Sequence, residues 1–162
     1  NNKNIILAAE QAADLAQKEV LVLPCRSMVQ GIGALLTFNS YLDGETNHRK
    51  MQAAIEACKY GEVTVAVRDS SINGTRVKKG EFMALTDEGL AAVADSLEVA
   101  VERLVAHLSG DKPNLVTLYF GADLAESEAR WVMEKLQAVF SRVEFELYYG
   151  GQPVYHFLVS VE

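Results

Sequence analysis

Apolar and polar positions change period several times along these 162 residues. Ile5–Gln17 places Ile5, Ala9, Ala12, Ala13 and Ala16 on one face at helical spacing, with Asn4 as its N-cap. Val20–Leu23 is apolar without alternation, the pattern of a strand buried on both faces, and Pro24 stops it. Ser27 and Gln30 then stand at capping-box spacing, which predicts a helix over Met28–Phe38. Gly31 and Gly33 in its first turns lower helix propensity by about 1 kcal/mol each, a cost that close backbone approach to a neighbour would explain. Asp43-Gly44 reads as the turn of a polar loop over Asn39–Asn47. A third helix over His48–Tyr60 sets Met51, Ile55 and Cys58 on one face, with Gly61 ending it.

From Glu62 the period shortens to that of strands. Glu62–Arg68 is rich in β-branched residues, and Asn73-Gly74 is a two-residue hairpin signal between it and Thr75–Lys78. Lys79-Gly80 and Glu88-Gly89 mark further turns, so residues 61–94 read as an antiparallel meander set into the chain. Leu97, Ala100, Val101, Leu104, Val105 and Leu108 then repeat at helical spacing, with Asp95 and Glu98 at a second capping-box distance. Leu115–Phe120 is an apolar strand, Glu126–Phe140 a helix, Val143–Tyr149 an alternating strand and Tyr155–Val161 a last strand after Gly150-Gly151. Gly110–Asn114 is the best internal linker but too short to free a domain, so residues 1–162 read as one domain. The predicted class is α/β, with a mainly parallel central sheet, flanking helices and the meander. Ligands of such sheets meet the loops at strand carboxyl ends, here Pro24–Ser27.

Composition narrows the class. The chain is 49% hydrophobic and 23% charged, a globular balance. A net charge of -7 argues against a broad nucleic-acid or anionic-membrane surface. No apolar run approaches the roughly 20 residues of a membrane span, and no secretory leader pattern is present. Cys25 and Cys58, the two cysteines, lie outside any CxxC and lack neighbouring histidines, which argues against structural zinc. Reduced thiols and a cytoplasmic setting are expected. The chain enters helical pattern almost at once from Asn1, as a domain of a longer protein would.

The candidate chemistry is sparse. His48, His107 and His156 have no ligand partners at metal spacing, and His107 near a helix C-terminus suits the helix dipole. Ser27, Ser70 and Ser71 lie outside any nucleophile elbow. Cys25 precedes a helix N-terminus, a setting in which reactive thiols occur, but a small residue filling a turn explains it as well. Gln30-Gly31-Ile32-Gly33 matches no nucleotide-binding glycine pattern. Arg26 and the amides after Ser27 offer an anion site for a phosphate or carboxylate. Arg76, Lys78 and Lys79 follow the hairpin turn, either guarding a sheet edge or docking an acidic partner. Glu126, Glu128 and Glu134 suit a solvated helix face.

The carboxyl end, Tyr148-Tyr149-Gly150-Gly151-Gln152-Pro153-Val154-Tyr155 with Leu158 and Ser160-Val161-Glu162, is less generic. Together with Asn1-Asn2-Lys3-Asn4-Ile5, Gln30-Gly31, Gly61-Glu62-Val63-Thr64 and Val67-Arg68-Asp69, it resembles the C-terminal domain of the bacterial fatty acid kinase A subunit, of the dihydroxyacetone-kinase-like family. The resemblance covers essentially all 162 residues. It implies a DegV-like fold, preceded in the full subunit by ATP-binding and middle domains. It also implies a transferase complex that phosphorylates a fatty acid held by a separate DegV-like fatty-acid-binding protein, feeding phospholipid synthesis. ATP and magnesium belong to the parent kinase domain in that family, and none of its catalytic residues maps onto this chain.

Two departures bear on the site. The family usually has Thr-Lys-Thr at the strand-end loop, where this chain has Cys25-Arg26-Ser27; a guanidinium recognises anions bidentately and an ammonium does not. DegV-like carriers hold the carboxylate with a Ser/Thr-rich loop, and the matching stretch, Asn1–Ile6, has no Ser, Thr or Gly. The resemblance implies a cofactor-free, non-catalytic domain whose partners are the DegV-like carrier and the kinase domain of its own chain. Its binding candidates are Asn1, Asn2, Lys3, Asn4, Arg26, Ser27 and Gln30. The alternatives are direct binding of a fatty acid or small carboxylate near those residues, and a phosphatase using Cys25.

Overall fold

The computed structural model describes residues 3–110 and 115–162. They fall into two compact units, Asn1–Lys59 and Tyr60–Glu162. The first holds helices α1 (Lys3–Leu15), α2 (Met28–Leu36) and α3 (Gly44–Ala57). α2 starts where the Ser-x-x-Gln spacing predicts: Ser27 is extended, and its Oγ accepts from the Gln30 amide at 3.2 Å. Asn4 lies inside α1 rather than capping it.

Asp43-Gly44 does not turn a loop but opens α3. The Asp43 carboxylate accepts from the Thr46 amide and from Thr46 Oγ1, both at 2.8 Å. Behind that cap, buried Asn47 accepts from the Asn39 amide and donates to the carbonyls of Asn39, Leu42 and Asp43. One side chain thereby closes the α2–α3 connection. α3 ends at Ala57 with Cys58 as its C-cap, so Gly61 is not its terminator.

Val20–Leu23 forms no strand. Its Val22 carbonyl accepts from His48 Nε2 on α3 at 3.0 Å, not from a neighbouring strand. An apolar run lying along a helix and a run buried in a sheet have the same sequence pattern, so periodicity alone does not separate them.

The second unit carries a six-stranded sheet in the order β5-β4-β1-β8-β6-β7. The strands are β1 (Lys59–Val65), β4 (Phe82–Thr86), β5 (Gly89–Ala94), β6 (Leu115–Phe120), β7 (Glu144–Tyr149) and β8 (Tyr155–Val161). Short β2 (Ser70–Ile72) and β3 (Thr75–Val77) form a separate hairpin. Asn73 and Gly74 sit at its tip with φ 51° and 82°, the backbone such a turn demands. The first strand of that hairpin is therefore Ser70–Ile72, while Glu62–Val65 pairs with β4.

The α/β class holds, but the sheet is mostly antiparallel rather than mainly parallel. β1–β4, β4–β5 and β6–β8 run antiparallel and β6–β7 parallel. Connection length decides this. A parallel pair needs a crossover of a dozen or more residues, which helix α5 (Glu126–Val139) supplies between β6 and β7. The turn at Gly89 and the loop at Gly150–Val154 are too short for anything but reversal.

Helix α4 (Leu97–Ser109) buries all six positions of its predicted stripe, Leu97, Ala100, Val101, Leu104, Val105 and Leu108. With Ala129, Val132 and Leu136 of α5 they pack on Val63, Ala84, Val116, Leu118, Phe157 and Val159 of the sheet. Gly61 belongs to this core. A Cβ there would lie 2.5 Å from Leu104 Cδ1 and 2.8 Å from the Leu85 carbonyl oxygen.

Candidate functional site

The Pro24–Ser27 loop is the place to start, and its serine already serves as a helix cap. Ser27 is buried and holds the Gln30 amide. Gln30 reaches back, its Oε1 accepting from the Arg26 amide at 3.0 Å, while its Nε2 donates to the Ile55 carbonyl at 3.1 Å on α3. Both ends of Gln30 and the Ser27 hydroxyl therefore fasten α2 to its neighbours. Arg26 is exposed beside them. Of the remaining candidates, Asn1 and Asn2 lie outside the described residues, Lys3 opens α1, and Asn4 is an exposed residue of that helix. The structure thus brings Arg26, Ser27 and Gln30 together, and the contact it makes of them is a helix cap.

Neither Cys25 nor Cys58 is in a disulfide, and Cys58 Sγ donates to the Lys59 carbonyl at 3.8 Å. Cys25 Sγ would lie 3.9 Å from a Cβ at Gly31, ordinary contact distance, so no close backbone approach explains that glycine. Beyond the loop, Leu21, Leu23, Phe38, Leu42, His48 and Met51 line an apolar recess of about 350 Å³. His48 contributes to its wall with Nε2 already bonded to Val22.

In the second unit, Arg76 and Arg103 line a cleft of about 530 Å³ together with Glu81 and Asp95, so its walls carry both signs of charge. Arg103 donates to the Val93 carbonyl, and Glu81 accepts from the Lys78 amide at 2.7 Å. His156 on β8 packs edge-on against Phe82 at 5.4 Å. Among the described residues no group of three or more His, Cys, Asp or Glu could hold a metal ion.

The most tightly built feature is one that residue-type reasoning did not single out as a site: the Tyr149–Tyr155 loop. Gln152, buried, donates from Nε2 to the Tyr119 carbonyl at 2.8 Å and to that of Tyr155 at 3.3 Å. The amides of Gly150 and Gly151 both donate to the Phe120 carbonyl. The Ala122 amide donates to Gln152 O at 3.0 Å, and that of Gly121 to His156 O at 2.9 Å. The loop therefore clasps the ends of β6, β7 and β8. The glycines are obligatory for it, because a Cβ at Gly121 would collide with the Tyr155 and Gln152 carbonyls. The signal for this was present in the Gly-Gly-Gln-Pro run, whose composition demands a special backbone.

Two tyrosines and an aspartate have displaced ionisation. Burial raises the Tyr155 phenol, followed by the charge of Glu62 and a hydrogen bond to it. The charge of Glu146, then a hydrogen bond to it, raises Tyr148. Asp43 is lowered, first by the Thr46 amide and then by the Thr46 hydroxyl.

The six-stranded mixed sheet with α4 and α5 packed on it has the fold of DegV proteins and dihydroxyacetone kinase. A fatty-acid-binding DegV family protein, SAG1342 from Streptococcus agalactiae, superposes with a TM-score of 0.53 at 15% identity, over 98% of this chain and 64% of that one. The dihydroxyacetone kinase of C. freundii, in complex with AMP-PNP and Mg2+, matches with a TM-score of 0.61 at 15% identity, over 96% of this chain and 35% of that one. At such identities the likeness is one of fold.

The chain belongs to the FakA-like C-terminal family, the carboxyl-terminal domain of fatty acid kinase A-like subunits, which matches residues 1–162. Protein YloV of Bacillus subtilis (strain 168) is 36% identical over 162 residues, all of this chain and 29% of that protein. The chain thus spans less than a third of that relative's length. Among the described residues no helix is long and apolar enough to cross a membrane.

Proposed function

We propose that this chain is a non-catalytic docking domain of a fatty acid kinase subunit. It receives a DegV-like fatty-acid-binding protein and presents its acyl cargo to a kinase domain on the same polypeptide. ATP and magnesium act in that kinase domain, and no phosphoryl-transfer step runs through the residues described above. The observation that carries this reading is the fate of the strand-end loop. Ser27 Oγ caps α2 through the Gln30 amide and Gln30 Nε2 anchors that helix to Ile55, so two of the three candidate side chains there serve the scaffold. The fold is that of acyl carriers, while Ser27 and Gln30 serve the scaffold.

Isothermal calorimetry of the 162-residue chain against a DegV-family fatty-acid-binding protein tests the reading. Saturable association is expected. Absence of binding at about 100 μM, roughly 5.5 kcal/mol of affinity, refutes it. A second reading, direct binding of a fatty acid or small carboxylate, draws on the apolar recess at Leu21, Leu23, Phe38, Leu42 and Met51. Native mass spectrometry of the chain incubated with palmitate separates the two: a stoichiometric adduct supports direct binding, and a bare protein mass excludes it.

A further inference from the structure

The hydrophobic core packed by α4 and α5 lies wholly in the second unit. Among the described residues, Asn1–Lys59 buries only four apolar side chains, Val29, Ala34, Ile55 and Cys58. That is little for a unit of its size, since small folds are already marginal for want of buried surface. No side chain of α1 from Asn4 to Leu15 is buried, and Leu15 is 86% exposed. α2 is apolar on two sides. Val29 and Ala34 are buried, whereas Met28, Ile32, Leu35 and Leu36 stand exposed at i, i+4, i+7 and i+8, Leu36 at 81%. A helix apolar all round is one that packs between two layers.

Val20–Leu23 has an open edge in the same unit. Leu21 and Leu23 both line the apolar recess and Val22 between them does not, which is the two-residue period of a strand. Among the described residues, Val20 and Leu21 make no backbone hydrogen bond, and Val22 makes only the one from His48. His48 takes the edge that Val22 faces. Successive residues of an extended chain face opposite edges, so Leu21 stands on the open one. An apolar stretch with free amides and carbonyls is a template for another strand. In sequence it lies between α1 and α2, and strand–helix alternation builds parallel sheets. Lys3–Glu19 is longer than the dozen or so residues that a parallel crossover needs. A parallel neighbour of Val20–Leu23 connected through α1 therefore belongs just ahead of that helix.

We infer that Val20–Leu23 pairs in parallel with a strand from the segment that immediately precedes Asn1 in the full subunit. The added layer gives the outer stripe of α2 a surface to pack on. The occupant follows from the polypeptide outside this chain. The chain makes up 29% of YloV and matches a carboxyl-terminal family. The fold of SAG1342 also extends further, because 98% of this chain accounts for only 64% of that one. A second copy fits the edge less well: two copies about a two-fold axis would pair these stretches antiparallel, and each crossover would still lack its first strand. The inference stands apart from the docking reading, since it assigns this surface to the subunit's own polypeptide.

Hydrogen exchange read by mass spectrometry, on the full subunit and on the 162-residue chain, tests this. Val20–Leu23 is expected to exchange at least about tenfold more slowly in the full subunit than in the chain. The roughly ten residues ahead of Asn1, the length of a strand, are expected to be protected with it. Fast exchange of either stretch in the full subunit overturns the inference. Slow exchange of Val20–Leu23 in the isolated chain overturns it too; slowing only at high concentration would make a second copy the occupant. In the full subunit, Leu21→Pro removes the pairing amide and is expected to release the stretch ahead of Asn1, whereas Leu21→Ala keeps the amide and the protection. Undiminished protection in Leu21→Pro shows that the cover comes from elsewhere, and overturns the pairing. Leu104 and Val105, buried in α4, report whether a variant has folded. If Leu21→Pro releases them as well, the comparison of subunit with chain decides alone.

Discussion

Replacing Gly121 with alanine puts one methyl group where the structure has room for none. The new Cβ would collide with the Tyr155 carbonyl oxygen and lie 2.8 Å from that of Gln152. Both obstacles are backbone, so no rotamer change relieves them. Overpacking of this sort costs about 1–3 kcal/mol. Relief by moving the loop would stretch the bonds from Ala122 N to Gln152 O and from Gly121 N to His156 O, each worth about 1 kcal/mol net. Alanine's smaller unfolded-state entropy returns about 0.4–1 kcal/mol. The expected loss is therefore about 2–4 kcal/mol. Urea unfolding followed by the fluorescence of Trp131, the one tryptophan, reads this directly, because α5 packs on the same sheet. A loss below about 0.5 kcal/mol, the range of neutral surface changes, would refute the claim that the clasp fastens the three strand ends.

Gly31→Ala should act in the opposite sense. Its Cβ would meet only Cys25 Sγ, at 3.9 Å, so the helix gain of about 0.5–1 kcal/mol should appear as a higher melting point in circular dichroism; a lower one would show that the backbone there needs glycine. The Asp43 cap should be sensitive to acid. Its folded carboxyl titrates below the ordinary value, so its stabilisation is fully present above that value, near pH 4, and is lost as pH falls through the lower folded one. Helicity followed from about pH 6 to about pH 2 should fall more in the parent than in Asp43→Asn, which caps without titrating; parallel curves would refute the assignment.

Local signals in the sequence were sufficient wherever an element depends on its own residues. The Ser27–Gln30 spacing starts α2, Asn73-Gly74 turns a hairpin, and the six-residue stripe of α4 is buried in full. These are short-range effects of capping, backbone conformation and helical period. The family was legible for a related reason: the Tyr-Tyr-Gly-Gly-Gln-Pro-Val-Tyr run has few substitutes, since its clasp needs those glycines and that amide.

Tertiary structure decided what depends on which segments meet. Val20–Leu23 has the composition of a buried strand, yet its Val22 carbonyl is taken by His48. Strand direction followed from connection lengths and from β8 entering between β1 and β6, which hydrophobic pattern does not encode. Gly61 looks like a helix terminator, but only the packed Leu104 and the Leu85 carbonyl explain it. Among the candidate residues, sequence brought Arg26, Ser27 and Gln30 forward by their chemistry. The fold then showed the hydroxyl and the amide already bonded to backbone, because orphan groups at a helix end are satisfied before any ligand arrives. Val154 has a φ of 72°, and this too appears only in three dimensions, because its carbonyl is held by Thr64 Oγ1 and the preceding Gln152 by the strand ends.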